Sequence, residues 1–265
     1  MTNSNVADSD AYRTKKAFFN QVLTVFGRKP VLGAMRDDRL QCHALHLADS
    51  NRDNDVMRAI LEAAKHRGLA IKYHSRQELA RISRNGKQDQ GVALDILCPY
   101  FLGLEDYLHQ VAATDTPQRL IALDGISNPQ NLGMIIRSAT AAGMHGIIWS
   151  RRGNAALGPL VIKASAGTLY RAPVLMTDAL PPALLACREN GFEICVLEPD
   201  AETDLFRHRP PSHCVYVLGN ESEGVSSGAR EAADTRLAIP MKNDVESLNV
   251  AVTAGLIAFA AYLDR

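Results

Sequence analysis

The sequence lacks a run of about 18 consecutive apolar residues, and its first dozen residues lack the basic and apolar segments of a secretory leader. Membrane spanning and secretion are therefore unsupported, and we expect a cytoplasmic protein. The GxGxxG and GxxxxGK[ST] spacings are also absent, which argues against a dinucleotide-binding fold or a P-loop. With 46% hydrophobic and 22% charged residues in 265, the chain can form one large or two unequal globular domains.

Cysteines are few, odd in number and scattered, which favours reduced core thiols over a disulfide framework. One local cluster, Cys42-His43-xx-His46, offers three metal ligands within five residues. It lies in a strand-like alternating run, so Cys42 and His43 should point to opposite faces of a strand. We therefore expect no metal site. The cysteines are Cys42, Cys98, Cys187, Cys195 and Cys214.

The formal net charge is zero, but the charges are unevenly distributed along the chain. Residues 13–87 contain 16 Lys and Arg against 7 Asp and Glu, a balance of +9. Residues 88–265 contain 13 against 20, a balance of −7. A basic first third is typical of a module that binds phosphates, although a solvated face of mixed helices would give a similar count.

The hydrophobic pattern predicts four segments. Residues 1–20 should form a flexible tail, and 21–98 a small α/β domain with helices near 55–67 and 75–82. Residues 99–118 contain a short amphipathic piece followed by Thr, Asp and Pro, which favours a linker. From 119 to 265, wholly apolar strands alternate with helices, which indicates a parallel sheet covered on both faces. Ligands bind such sheets beyond the carboxyl ends of the strands.

Three loops at those predicted strand ends contain polar residues. In the first, DGISNPQNLGMIIR (124–137), Asn131 can cap the next helix, which should end at Gly143. Arg137 falls outside the apolar stripe of that helix, so it is free to face a ligand, although a surface arginine would fit too. The second loop is LGNESEG (218–224), and the third is IPMKNDVESLNV (239–250), in which Ser247 is placed to cap a helix that should run to about Tyr262. The apolar stripe of the helix after the first loop comprises Leu132, Ile135, Ile136 and Ala139.

The ordered set NPxNLGxxxR, LGxExxG and IPM…SLNV closely resembles the three signature motifs of the SpoU-type (TrmH-like) ribose methyltransferases of the SPOUT superfamily. The resemblance covers residues 119–263. The first domain is similar, less specifically, to the ribosomal-protein-like RNA-binding domain that precedes many of these catalytic domains. The resemblance implies a deep trefoil knot in the catalytic domain, although the residue pattern itself shows none.

The cofactor implied by the resemblance is S-adenosylmethionine, held in the loops of the knot. By motif match, three residues would contact it and four would lie nearby. The segment from Met241 to Ser247 lacks a glycine that relatives often have, which leaves the shape of this loop open. The implied contacts are Gly219, Ile239 and Leu248, and the nearby residues are Leu218, Asn220, Gly224 and Met241.

The implied catalytic set consists of polar residues from all three loops. Arg137 would act as the base toward a ribose hydroxyl, but an arginine with a pKa above about 12 is a poor base, so phosphate anchoring is an equal alternative. The other members would orient Arg137 or the ribose, or hold the loops. Glu221 and Glu246 fall outside this assignment. The set is Asn131, Arg137, Glu223, Ser247 and Asn249.

The resemblance thus implies ribose 2′-O-methylation of structured RNA by a homodimer whose subunits donate residues to each other's site. The appended basic domain favours large-subunit rRNA as substrate. Two alternatives remain: a tRNA 2′-O-methyltransferase, and a knotted RNA-binding protein without catalysis. Methylation of a base is disfavoured by the polar set. The basic residues expected to bind RNA are Arg58, Lys65, Arg67, Arg76, Arg81, Arg84 and Lys87.

Overall fold

The computed structural model describes residues 15, 18–112, 114–210 and 212–260. Most of the predicted tail at 1–20 and the predicted helix end near Tyr262 lie outside these residues. The described chain forms two sheets, one of four strands and one of eight. In the part of the chain described, no helix is both long and apolar enough to cross a membrane.

The first sheet has the strand order β1-β4-β2-β3 and mixes antiparallel and parallel pairs. The helices predicted after its second and third strands are confirmed. Gly68, with φ of 61°, follows one of them, and a capping box of Ser75 and Glu78 begins the other. The elements are β1 (Val22–Phe26), α1 (Arg28–Met35), β2 (Gln41–Ala48), α2 (Asp55–His66), β3 (Ala70–His74), α3 (Arg76–Ser83) and β4 (Val92–Leu97).

The second sheet has the order β10-β12-β9-β11-β6-β7-β8-β5, and each of its pairings is parallel, as predicted. Its strands are β5 (Leu102–Gly103), β6 (Arg119–Leu123), β7 (Gly146–Ser150), β8 (Val174–Thr177), β9 (Phe192–Leu197), β10 (Thr203–Asp204), β11 (His213–Leu218) and β12 (Thr235–Ala238). Its helices are α4 (Leu104–Val111), α5 (Pro129–Ala141), α6 (Pro159–Ala164), α7 (Leu180–Glu189), α8 (Ser227–Glu231) and α9 (Val250–Ala260), with a 3₁₀ turn at Thr168–Arg171.

Both faces of the second sheet are buried, which explains why its strands are apolar throughout. In β6, Leu120 and Ala122 pack into the cluster that contains α7, while Ile121 and Leu123 pack into the cluster that contains α5 and α9. Alternate residues of one strand therefore enter two different cores.

Residues 99–118, predicted to be a linker, contain β5 and α4. The strand β5 pairs in parallel with β8 at one edge of the second sheet. Leu104, Tyr107 and Leu108 of α4 are buried in the cluster that also holds Leu180 and Leu184 of α7. This segment is therefore built into the second sheet rather than suspended between the two.

Two predicted helix caps are wrong. The side chain of Asn128, not Asn131, accepts a hydrogen bond from the first turn of α5, at 2.8 Å from the Gln130 amide. At α9 the cap is Asn249, whose Oδ1 accepts from the amide of Ala251 at 2.9 Å, and not Ser247. The predicted buried stripe of α5 is confirmed, since Leu132, Ile135, Ile136 and Ala139 are at most 1% exposed.

Candidate active site

The loops after β6 and β11 are tied together at the carboxyl edge of the second sheet. Asn220 donates from Nδ2 to the carbonyl of Gly125 at 2.8 Å. Asp124 accepts from the amide of Ser226 at 2.7 Å, and Ser226 is the N-cap of α8. Because β6 and β11 are neighbouring parallel strands, their loops leave the sheet side by side, and these bonds fix one loop against the other.

Asn131, Glu221 and Asn249 form a hydrogen-bonded cluster contributed by three distant segments. The Asn131 amide donates to Glu221 Oε1 at 2.5 Å, and the Asn249 amide donates to the same oxygen at 2.7 Å. Asn249 also donates to Asn131 Oδ1 at 3.2 Å. Since Asn249 Oδ1 accepts from Ala251, both amides are held in a defined orientation. Two members of the catalytic set implied by the resemblance, Asn131 and Asn249, are therefore in direct contact.

The glutamate in this cluster is Glu221, whereas the sequence analysis chose Glu223. Glu223 is exposed, and its backbone amide lies 3.4 Å from Asn220 Oδ1 within the turn of its own loop. The motif LGxExxG contained the necessary signal, because its glutamate falls on position 221 when Leu218 is aligned with the first letter. Residue type alone does not distinguish Glu221 from Glu223, but the position of the glutamate within the motif does.

Arg137 is exposed and lines a groove between α5 and α9 together with Asn249. The groove has a volume of about 990 Å³, and most of its lining is apolar. Met134, Val252 and Phe259 on its walls are 41%, 52% and 49% exposed. Arg137 thus borders the polar cluster on one side and an unusually apolar surface on the other.

Residues 218–224 form a closed turn in which Asn220 and Gly224 exchange two backbone hydrogen bonds of 2.9 Å. A Cβ on Gly219 would lie 2.2 Å from the carbonyl carbon of Gly224, so only glycine permits this turn. Leu218 is 1% exposed and packs in the core. The side chain of Asn220 is engaged with Gly125. For Leu218 and Asn220, only backbone atoms are available to a ligand in this conformation.

Ile239 and Met241 line a pocket of about 550 Å³ beyond the carboxyl ends of β9 and β12. Its charged lining is exclusively acidic, and no Lys or Arg lines it among the described residues. An apolar wall with surrounding carboxylates fits a ligand that combines a flat apolar group with positive charge, as a sulfonium nucleoside does. The acidic residues are Asp200, Glu202, Asp204 and Glu246.

The segment between Met241 and Asn249 connects this pocket to the polar cluster. Asn243 and Asp244 have φ of 58° and 56° there. Asn and Asp are the residues that tolerate this left-handed conformation best after glycine, which explains how the loop turns without one. Ser247 and Leu248 are exposed beside it, and neither lines the pocket of Ile239 and Met241.

A cleft of about 1300 Å³ separates the two sheets and is lined by cationic side chains from both. Arg81, Arg84 and Lys87, predicted to bind RNA, are among them. The other predicted residues differ in environment: Arg58 pairs with Asp53 and Asp55, and Arg67 donates to the carbonyls of Met35 and Leu40. The sequence analysis did not single out three further cations of the cleft, namely Arg28, Lys29 and Arg151.

Comparison with known proteins gives the same two-part division. A profile described as the SpoU rRNA Methylase family matches residues 118–259, and one described as RNA 2′-O ribose methyltransferase substrate binding matches residues 24–97. An uncharacterized tRNA/rRNA methyltransferase from Mycolicibacterium vanbaalenii is 34% identical over 233 residues, which is 88% of this chain and 74% of the relative.

Solved structures share the fold at lower identity. The SpoU methyltransferase AviRb from Streptomyces viridochromogenes, solved in complex with AdoMet, is 21% identical with a TM-score of 0.59, covering 97% of this chain and 94% of its own. An AdoMet-bound rRNA methyltransferase from Sinorhizobium meliloti is 20% identical with a TM-score of 0.59, covering 97% and 91%. The chain therefore belongs to the SpoU rRNA methylase family of RNA methyltransferases, with a substrate-binding domain preceding the methyltransferase domain.

Proposed function

We propose that the protein transfers the methyl group of S-adenosylmethionine to the 2′-hydroxyl of a ribose in structured RNA, in the cytoplasm. The observation that supports this most is the cluster of Asn131, Glu221 and Asn249. Each residue comes from a different signature motif, and the three meet at one oxygen of a carboxylate. A cluster of hydrogen-bonded polar side chains is suited to orienting the ribose 2′-hydroxyl, which is a very weak acid.

The acidic pocket beside Ile239 and Met241 is the proposed cofactor site. When bound, S-adenosylmethionine supplies a methyl group activated by its sulfonium. Ile239 and Met241 would contact the apolar part of the molecule, and Glu246 would offset its positive charge. Gly219 does not line this pocket but follows the neighbouring strand β11, where its backbone would face the bound cofactor. Leu248 would close the side toward the polar cluster.

Glu221 takes the role that the sequence analysis gave to Glu223. Its Oε1 holds the amides of Asn131 and Asn249, and because the side chain is exposed, its other oxygen can accept from a substrate hydroxyl. Arg137, at the rim of the same groove, would anchor the adjoining phosphate through its planar fork and keep the ribose in line for displacement. Ser247 would steady the loop before the Asn249 cap.

We propose that RNA enters through the cationic cleft between the two sheets, with residues 21–98 as the RNA-binding part and 119–265 as the catalytic part. Arg81, Arg84 and Lys87 come from the first sheet's domain and Arg151 from the second, so a backbone lying in the cleft would touch both. The presence of a separate basic domain favours large-subunit rRNA over tRNA as substrate.

The apolar groove of α5 and α9 is the proposed homodimer interface. Its exposed Met134, Val252 and Phe259 would be covered by the same surface of a second copy, as two-fold symmetry requires. Arg137 lies on this groove, so dimerisation would complete the site around it. We propose that the trefoil knot lies in the C-terminal part of the chain. There the chain returns from β12, at one side of the sheet, to α9, which packs on α5.

The proposal is tested by incubating purified protein and methyl-labelled S-adenosylmethionine with total RNA from cells that lack the gene. Label in large-subunit rRNA is the expected result. Label confined to tRNA would keep the chemistry and correct the substrate. RNA binding without any transfer, by protein that binds the cofactor, would favour a knotted RNA-binding protein without catalysis.

A further inference from the structure

Four side chains with metal-binding atoms lie close together on β9, at the start of β11 and on the connection between β10 and β11, away from the candidate active site. Cys195 Sγ lies 3.5 Å from Cys214 Sγ and 4.0 Å from His208 Nε2. His208 Nε2 lies 3.2 Å from Glu193 Oε1. A carboxylate oxygen of Glu193 and the two sulfurs all lie within 4.8 Å of one another.

These separations match those between the ligands of one small divalent cation. With Zn–S bonds of about 2.3 Å and Zn–N and Zn–O bonds of about 2.1 Å, a tetrahedral site separates two sulfurs by about 3.8 Å, nitrogen from sulfur by about 3.6 Å, and nitrogen from oxygen by about 3.4 Å. The distances from Cys195 Sγ to Cys214 Sγ, from Cys195 Sγ to His208 Nε2 and from His208 Nε2 to Glu193 Oε1 are each within about half an ångström of their counterparts. His208 stands outside the group of three whose atoms all lie within 4.8 Å of one another, so it would have to move toward Cys214 to become the fourth ligand. Two thiols, an imidazole and a carboxylate form a donor set that suits zinc.

Two polar atoms of the cluster are buried without a hydrogen-bond partner among the described residues, namely Glu193 Oε2 and His208 Nδ1. The other carboxylate oxygen of Glu193 accepts from Thr235 at 2.6 Å and faces His208. A buried carboxylate oxygen without a partner is costly, and in native proteins it usually indicates a missing ion or water. A cation bound by Glu193 Oε2 would remove this cost at the carboxylate, whereas His208 Nδ1 faces away from an ion bound at Nε2.

We propose that Cys195, Cys214, His208 and Glu193 bind one Zn²⁺ ion or a cation of similar preference. Binding releases the two thiol protons, and the resulting thiolates and the carboxylate balance the charge of the ion. All four coordination positions are filled by protein, which is typical of a structural and not a catalytic zinc. Sequence spacing did not reveal the site, because the ligands come from β9, β11 and the connection between β10 and β11.

The ion would attach that connection to the sheet. His208 is its only ligand outside the strands among the described residues, and Phe206, two residues earlier, lines the groove of Arg137 and Asn249. A disulfide between Cys195 and Cys214 is the competing chemistry. It would leave Glu193 Oε2 without a partner, whereas a metal ion would bind this oxygen together with the two sulfurs.

The site is tested with full-length protein that is stripped by a chelator under reducing conditions and titrated with Co²⁺. Wild-type protein should take up one ion per chain with a thiolate-to-cobalt charge-transfer absorption, and Zn²⁺ should displace it. Cys195→Ser and Cys214→Ser should lose the absorption, and His208→Ala should weaken binding at least about tenfold. Cys187→Ser, which changes a buried cysteine of α7, is the matched control and should retain it.

Thermal unfolding provides a second measurement. Zn²⁺ should raise the Tm of wild type and Cys187→Ser in proportion to the logarithm of its free concentration, and leave Cys214→Ser unmoved. The proposal is overturned if reduced, folded wild-type protein takes up no ion, or if the absorption survives loss of Cys195 or Cys214. Mass spectrometry that finds the two cysteines joined, with no ion in the reduced protein, would establish the disulfide instead.

Discussion

Asn131 and Asn249, 118 positions apart in the chain, are joined by a hydrogen bond of 3.2 Å and share Glu221 as acceptor. Their contact requires α5, the turn after β11 and the start of α9 to meet at one point. The relative placement of these three elements therefore determines the geometry of the site.

Exchange of Glu221 for Gln should lower the methylation rate by about 100-fold or more, because it removes the charge that orients two amides and accepts from the substrate. Glu223→Gln, an isosteric change two residues away in the same exposed turn, should change the rate less than about threefold. Single-turnover transfer to RNA measures both. A larger loss in Glu223→Gln than in Glu221→Gln would return the role to Glu223.

Arg137→Ala should abolish methyl transfer while leaving the affinity for S-adenosylmethionine within about threefold of wild type, because Arg137 borders the groove and not the acidic pocket. Calorimetry measures the affinity, and transfer of labelled methyl measures the rate. Arg137→Lys should restore little activity, since an ammonium cannot reproduce the planar fork. An active alanine variant would remove Arg137 from the mechanism.

The triple variant Arg81→Gln, Arg84→Gln and Lys87→Gln should weaken RNA binding and reduce the slope of log affinity against log salt by about 0.9 per lost phosphate contact. The control is Arg58→Gln, since Arg58 is already paired with Asp53 and Asp55. Binding measured across a salt series distinguishes them. A triple variant with wild-type affinity and slope would place the RNA elsewhere.

Val252→Glu should convert the proposed dimer to a monomer, because it places a charge in the apolar groove of α5 and α9. Leu185→Glu is the matched control, since Leu185 is 42% exposed but lies on α7, which packs in the other core cluster. Sedimentation velocity reports the oligomeric state. A Val252→Glu protein that stays dimeric would contradict the proposed interface.

Asp95→Asn should lower the free energy of unfolding at neutral pH by about 1 to 3 kcal/mol. Burial raises the pKa of Asp95, but hydrogen bonds from His46 and Thr24 outweigh it, so the net pKa in the folded protein lies below the ordinary value of an aspartate. Its stabilisation is therefore present above that value and lost as pH falls through the folded pKa. Urea unfolding at several pH values should show the two proteins converging in acid; a constant difference would contradict this.

The elements whose apolar residues follow a regular spacing were predictable from the sequence. The apolar stripe of α5, with Leu132, Ile135 and Ile136, follows from helical spacing, and the parallel sheet from its uniformly apolar strands. The elements β1 and α1 were not predicted, since a five-residue strand is followed at once by a helix that contains Pro30 and Gly33. Short apolar runs with such residues carry little periodic signal.

Within the site, the sequence identified the loops but not every side chain. Asn131 was assigned as a cap because Asn commonly precedes helices, yet Asn128 fulfils that role and Asn131 is free to meet Glu221. The register of the motif LGxExxG already favours Glu221 over Glu223, and the folded turn places Glu221 against Asn131 of α5. The cluster of Cys195, Cys214 and His208 has no such signal in the sequence, because only the folded sheet brings these residues together.

The most direct test of the central claim is alkaline hydrolysis of RNA that the wild-type protein has labelled with methyl groups from S-adenosylmethionine. A methyl on the 2′-oxygen removes the nucleophile that cleaves the adjoining phosphodiester, so the label should appear in alkali-resistant dinucleotides and be absent after labelling with Glu221→Gln protein. Label released in mononucleotides would mean that a base is the acceptor, and would contradict ribose methylation by this site.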